Sequence, residues 1–186
     1  MELAGAPAIL WVGRLIESKD PVSAIAVFAR VAGDTLPAAA LHLLATDRTL
    51  EGSVRHAIAA LGPLGERVHL HGSVPFASMH SWYAAADVFL TTSRREGSGY
   101  ALIEAITEGC APVATSIPSH VAIVGDLAPT FPPGDVAAGA GLIVAAAGMD
   151  RLVIRASAAT RLSWPAVAGQ LMDAYRAVVR QGGRSR

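Results

Sequence analysis

A single cysteine, Cys110, stands in the 186 residues. It rules out an internal disulfide and suits a reducing compartment. The residue itself reads as a small buried apolar group at a helix end. Charge is also scarce: 16% of residues are charged and 52% are hydrophobic. Such a chain can bury a sizeable core, and its composition is not that of a disordered segment. The fifteen basic and fifteen acidic residues cancel, which argues against nucleic acid as the main partner. No uninterrupted apolar run reaches membrane-spanning length. The most apolar segment, Val136 to Met149, is broken by Gly139, Gly141 and Gly148. The N-terminus lacks the basic region, apolar core and cleavage site of a signal peptide. The expectation is a cytoplasmic protein, with peripheral membrane contact by another part of the full enzyme left open. The six histidines show no metal-ligand spacing, so no metal site is expected. Lysine is almost missing. Fourteen of the basic residues are arginine and one is Lys19, a hint that this position needs a compact ammonium.

What is present is an alternation. Ala8–Val12 is a continuous apolar run that ends at Gly13, as a strand buried on both faces would. Asp20-Pro21 then starts a helix, with Asp20 as N-cap and Pro21 at the first position. Further strands are expected at Leu41–Ala45, Arg67–His71, Asp87–Thr91 and Pro112–Thr115. Further helices are expected at Glu51–Leu61, Ala77–Ala86 and Tyr100–Glu108, and then at about 135–147, 150–160 and 163–180. Ala122–Val124 and Ala128–Phe131 are ambiguous, and Gln181–Arg186 reads as a frayed tail. There is no repeat, linker or second domain, so residues 1–186 form one domain. Its class is α/β, a Rossmann-like parallel sheet with helices on both faces.

In such a sheet, ligands sit beyond the carboxyl ends of the strands. Gly13-Arg14, Thr46, Gly72 and Glu96-Gly97 all follow strands and should gather at one rim. The stretch Ser93 to Ala105 reads as a glycine loop opening into a helix. Its bare N–H groups and the positive end of the helix dipole suit a phosphate. Glu96 and Glu104 flank that loop. They suit hydroxyl-bearing rings, or else Glu96 simply favours the helix start and Glu104 is a solvated helix residue. Arg14 and Lys19 add two cations for a diphosphate. The set describes a nucleoside-diphosphate sugar.

On these residues the chain resembles the retaining glycosyltransferases of the GT-B fold, the group 1 transferases of family 4. The likeness rests on Gly13-Arg14-Leu15 with Lys19, and on Ser93-Arg-Arg-Glu96-Gly97-Ser98-Gly99-Tyr100-Ala101-Leu-Ile-Glu104, with seven residues between the glutamates. It continues in Gly109-Cys-Ala-Pro112-Val113-Ala-Thr115, Phe131-Pro-Pro-Gly-Asp135, Ser163-Trp164 and Tyr175. The resemblance implies a catalytic set of Arg14, Lys19 and Glu96. Arg14 and Lys19 would hold the diphosphate and offset the charge that develops on it, and Glu96 would face the donor sugar. It implies that Glu104 takes the ribose hydroxyls and Val74 lines the base. Gly13, Gly97, Ser98, Gly99, Tyr100 and Ala101 would complete the donor site. It implies no cofactor and no metal. It also implies that the chain is the C-terminal, donor-binding half of a GT-B enzyme, inefficient without an N-terminal acceptor domain supplied in cis or by a partner chain.

Three positions depart from the family. Ala45-Thr46-Asp47-Arg48 replaces a glycine-rich turn, Ser98 stands where an aromatic is common, and Ala122 stands where an acid is frequent. Rival readings are a nucleotide-sugar binding module that is non-catalytic or partner-dependent, a GT-B epimerase or phosphorylase, and a dinucleotide-binding dehydrogenase domain. The dehydrogenase reading rests on Gly97-Ser-Gly99 but has Leu102 in the third glycine's place. His120 is placed in a loop after the fifth strand, near the rim, where a minor role toward the sugar stays open. Arg94 and Arg95 read as solvated, and Trp11, Trp82 and Trp164 as core or interface anchors.

Overall fold

The computed structural model describes residues 1–182. Five strands form one sheet: β1 (Ala8–Gly13), β2 (Ala40–Ala45), β3 (Val68–His71), β4 (Val88–Thr91) and β5 (Ala111–Ala114). Their order is β3-β2-β1-β4-β5, and every pairing is parallel. A parallel sheet must be covered on both faces, and this explains the unbroken apolar runs. Ile9, Leu10 and Trp11 of β1 are buried, as are Leu41, Leu43 and Leu44 of β2 and all of β4 and β5 except the solvent-touched edge of Thr91. Pro112 is tolerated because β5 is an edge strand, where a missing N–H costs little.

Eight α-helices follow among the described residues: α1 (Pro21–Asp34), α2 (Glu51–Ala60), α3 (Met79–Ala85), α4 (Tyr100–Thr107), α5 (Pro118–Val124), α6 (Val136–Ala146), α7 (Arg151–Arg161) and α8 (Trp164–Gly182). α1 packs against α2 and α6, whereas α4 packs against α3 and α7. Their starts are chemically marked. Asp20 accepts from the Ser23 N–H at 3.2 Å and Asp135 from the Ala138 N–H at 2.9 Å. Asp150 accepts from Leu152 and Ser163 from Ala166. Each satisfies an N–H that the first helical turn leaves free. Gly109 closes α4 at φ 86°, and Cys110 N–H returns to Ala105 O at 2.9 Å.

Several expectations need correction. The ambiguous stretch around Ala122 is helix α5, opened by Pro118 at its first position. His120 therefore lies on a helix. Phe131 makes a single bridge to Thr115 at the sheet edge. Arg67 closes a 3-10 turn before β3, and its guanidinium donates to Pro37 O. Asp87 precedes β4, and its carboxylate accepts from the Ala8 N–H at 2.8 Å. Trp164 is no core anchor, since it is 87% exposed. The expectation about the tail falls on residues 183–186 and on side chains 181–182, which lie outside the described residues. Among the described residues, no single helix is long and apolar enough to cross a membrane.

The strand order reverses between β1 and β4. The loops that leave these two strands, residues 14–20 and 92–99, border a crevice there.

Candidate functional site

The two loops at the reversal are tied together by polar bonds. Trp11 Nε1 donates to Thr92 Oγ1 at 3.3 Å, and Thr92 Oγ1 donates to the carbonyls of Asp20 (2.8 Å) and Lys19 (3.1 Å). The Arg94 N–H donates to Ser18 O at 2.8 Å, and its guanidinium pairs with Asp20 Oδ2 at 2.8 Å. Arg94 and Arg95 are both exposed, as expected, and Arg94 in addition ties the two loops together. Lys19 ends a 3-10 turn, and its ammonium pairs with the Glu96 carboxylate from the other loop. The two side chains are only 20% and 18% exposed, so this pair is partly withdrawn from water.

The Lys19–Glu96 pair stands between two spaces. On the outside lies an open crevice of about 310 Å³, lined by Arg14, Ser18, Lys19, Arg95, Glu96 and Gly97. Three of those six carry positive charge. On the inside lies a cavity of about 150 Å³, lined by Lys19, Glu96, Gly99, Tyr100, Ala101, Leu102 and His120 over a floor of Val12, Phe89 and Thr91.

The turn into α4 needs its glycine. Gly99 has φ +64°, and a Cβ there would lie 2.5 Å from Ile123 Cδ1. That left-handed residue aims the chain so that the N–H groups of Gly97, Ser98, Gly99, Tyr100 and Ala101 find no protein acceptor among the described residues. They are free for an anion, at the positive end of α4. Gly97 faces open space, and Ser98 and Tyr100 are exposed.

Glu104 lies apart from this cavity. Four residues beyond Tyr100, it is about 6 Å further along the helix axis, and it lines a third space of about 350 Å³ with Phe76, Met79, Tyr83 and Ile103 between α3 and α4. Its Oε2 accepts from the buried Tyr83 hydroxyl at 2.9 Å, while burial and the adjacent carboxylate push the Tyr83 phenol up. Val74 is half-buried against the core and lines none of these three spaces, and Gly13 closes β1 beneath the Trp11 ring. Thr46 and Gly72 follow β2 and β3. Gly72 lines a small space of about 50 Å³ with Asp47 and Arg48. The structure thus joins Arg14, Lys19, Glu96, Gly97 and Gly99–Ala101, and sets Glu104 and Val74 to one side.

Two further groups stand at the site, His120 expected near the rim but in a loop, and Tyr83 not expected there. His120 is 1% exposed and reaches the inner cavity from α5. Pro118 at the start of a helix was the available signal. Tyr83, partner of Glu104, comes from α3 and offered none. Cys110 fits its expected role: its thiol donates to Tyr83 O at 2.9 Å, and burial pushes it up to about 12. Among the described residues, no group of three or more His, Cys, Asp or Glu could hold a metal ion.

The family model described as glycosyl transferases group 1 matches residues 6–147, and so contains every strand and every site residue named above. The chain belongs to that family. The dehydrogenase reading falls with it. Among solved structures, it is similar to a mutant form of TarM from S. aureus in complex with UDP, at 16% identity and a TM-score of 0.76. That match covers 93% of this chain and 36% of the other. It is similar to sucrose-phosphate synthase from Thermosynechococcus elongatus at 25% identity and a TM-score of 0.70, covering 94% and 46%. It is also similar to the pneumococcal O-GlcNAc transferase GtfA in complex with UDP and GlcNAc, at 16% identity and a TM-score of 0.72, covering 97% and 38%. The chain therefore spans less than half the length of these structures. The parallel sheet with helices around it is the Rossmann-like fold of these GT-B neighbours. No curated protein sequence matches the chain.

Proposed function

We propose that this glycosyl transferases group 1 domain binds a nucleoside-diphosphate sugar and serves as the donor lobe of a retaining, metal-independent transferase for a hexosyl or related group. The observation that carries this reading is the Lys19–Glu96 pair, with a cationic crevice on one side and a cavity lined by unbonded backbone amides on the other. Arg14 and Lys19 would take the diphosphate in the crevice, aided by the Gly97–Ala101 amides. As the sugar–phosphate bond breaks, negative charge grows on the leaving phosphate, and these fixed cations stabilise it where a metal would otherwise act. Glu96 would then face the sugar in the inner cavity. Glu104, one turn along α4, would take the ribose hydroxyls with the carboxylate oxygen that Tyr83 leaves free, and Val74 would lie toward the base.

The acceptor lobe belongs to the same proposal, supplied in cis or by a partner chain. Two facts support it. The chain spans 36–46% of the neighbours quoted, and α8 leaves Trp164, Leu171, Met172, Tyr175, Val178 and Val179 exposed. Alone, this lobe would orient no acceptor and exclude little water, so transfer would be slow. A cytoplasmic location, with any membrane contact made by another part of the full enzyme, completes the reading.

The test is a thermal-shift titration with uridine, guanosine and adenosine diphosphates. At least one should raise the melting temperature of the chain, and Lys19→Ala or Glu104→Ala should remove the shift. Two variants that respond like the parent would show the site to be misassigned.

A further inference from the structure

His120 is the buried side chain that the donor reading leaves unused. It is 1% exposed, on α5 behind the glycine loop. One edge of its ring is fixed: Nδ1 lies 3.2 Å from Thr115 O and 3.1 Å from Thr115 Oγ1. Thr115 Oγ1 itself donates to Ser93 O at 2.6 Å. Its proton is thereby committed, so Nδ1 carries the hydrogen and donates to the Thr115 carbonyl. In the neutral ring that leaves Nε2 as a bare acceptor.

Nε2 has no protein partner among the described residues, and it is not among the sealed, unsatisfied polar atoms. The opposite ring edge, with Cδ2, lies 3.9 Å from where a Gly99 Cβ would stand. His120 also lines the cavity that Glu96 lines. A nearly buried acceptor thus opens into a space lined also by Lys19, Glu96 and Gly99–Ala101, over the floor of Val12, Phe89 and Thr91. Burial favours the neutral ring and lowers its proton affinity. The space itself, about 150 Å³, equals about five waters, enough for a ring bearing several hydroxyls.

We propose that His120 is a sugar-binding residue: its Nε2 accepts a hydrogen bond from a hydroxyl of the donor's glycosyl ring, opposite Glu96. This rests on the nucleotide-sugar reading above and adds to it the residue that distinguishes a sugar conjugate from the bare diphosphate. The diphosphate sits in the outer crevice, out of reach of His120. The sugar must pass the Lys19–Glu96 pair to meet it.

The experiment measures dissociation constants by calorimetry for the parent chain, His120→Asn and His120→Gln. The probes are uridine, guanosine and adenosine diphosphates and their glucose, N-acetylglucosamine and mannose conjugates. Asn places an amide nitrogen where Nδ1 sits, keeping the bond to Thr115 but removing Nε2. Gln places a polar atom where Nε2 sits. The expected result for His120→Asn is a roughly three- to tenfold loss of affinity for the preferred conjugate. Its affinity for the matching diphosphate should be unchanged, and His120→Gln should recover part of the loss. Unchanged diphosphate binding also shows that the variant is folded. If His120→Asn binds conjugate and diphosphate as the parent does, His120 is only a core histidine and the proposal is overturned while the donor reading stands. If the parent binds no diphosphate and no conjugate, the donor reading fails and takes this proposal with it.

Discussion

Replacing Gly99 by alanine tests the geometry on which the site depends. The residue sits at φ +64°, where a Cβ meets its own carbonyl, at about 1–2 kcal/mol. The new methyl would also lie 2.5 Å from Ile123 Cδ1, which must rotate or slide away within a buried contact. Moving that side chain off its rotamer adds about 0.5–1.5 kcal/mol. The total is about 1.5–3.5 kcal/mol, which for a chain of this length lowers the melting temperature by about 3–14 °C. Gly97 provides the control. Its φ is not left-handed and no atom lies within 4 Å of a Cβ placed there, so alanine should cost no more than about 0.5 kcal/mol. Urea unfolding of the parent and both variants gives the comparison directly. Gly99→Ala should also lose the nucleotide-induced shift, because the Tyr100 and Ala101 amides turn with the strained residue. A Gly99→Ala chain within about 0.5 kcal/mol of the parent, or a Gly97→Ala chain equally damaged, would refute the reasoning.

Two further predictions follow from buried polar groups. Burial holds His42, His71 and His120 below their ordinary value. The unfolded chain therefore binds more protons than the folded one below about pH 6.5, and stability, complete above that pH, is lost as pH falls toward the folded values. The melting temperature should be lower at about pH 5 than at about pH 8, and His71→Phe should reduce the difference; equal values at both pH would contradict the burial argument. Tyr83→Phe removes the donor to Glu104 and should cost about 1 kcal/mol. Circular-dichroism melts would detect the fall of about 2–4 °C, and a rise in melting temperature would show that the bond is not stabilising.

The sheet was readable because burial on both faces leaves little alternative to continuous apolar runs, as in Ala8–Val12 and Val88–Thr91. The helix starts at Asp20, Asp135 and Ser163 were readable because capping is local chemistry. What escaped was short or long-range. Helix α5 has seven residues, too few for its period to stand out from Ala122–Val124 alone. The pairing of Arg94 with Asp20 joins residues 74 apart, and Tyr83 meets Glu104 across 21. No local pattern encodes such partners. Nothing local joined His42 to His69 and His71. In the fold they stack across β2 and β3, with His42 Nδ1 3.1 Å from His71 Nε2 and His42 Nε2 2.9 Å from Ala4 O. Those two bonds fix the tautomers: His42 donates to Ala4, and His71 donates to His42.

The ammonium of Lys19 and the carboxylate of Glu96 satisfy each other directly. On the donor reading, binding at this rim would be an exchange of partners. An anion that drew the ammonium outward would leave the carboxylate without its cation in a half-dry wall. A guest that brings hydroxyls behind its phosphates would restore the balance. On the donor reading proposed above, the lobe would favour ligands whose two ends arrive together.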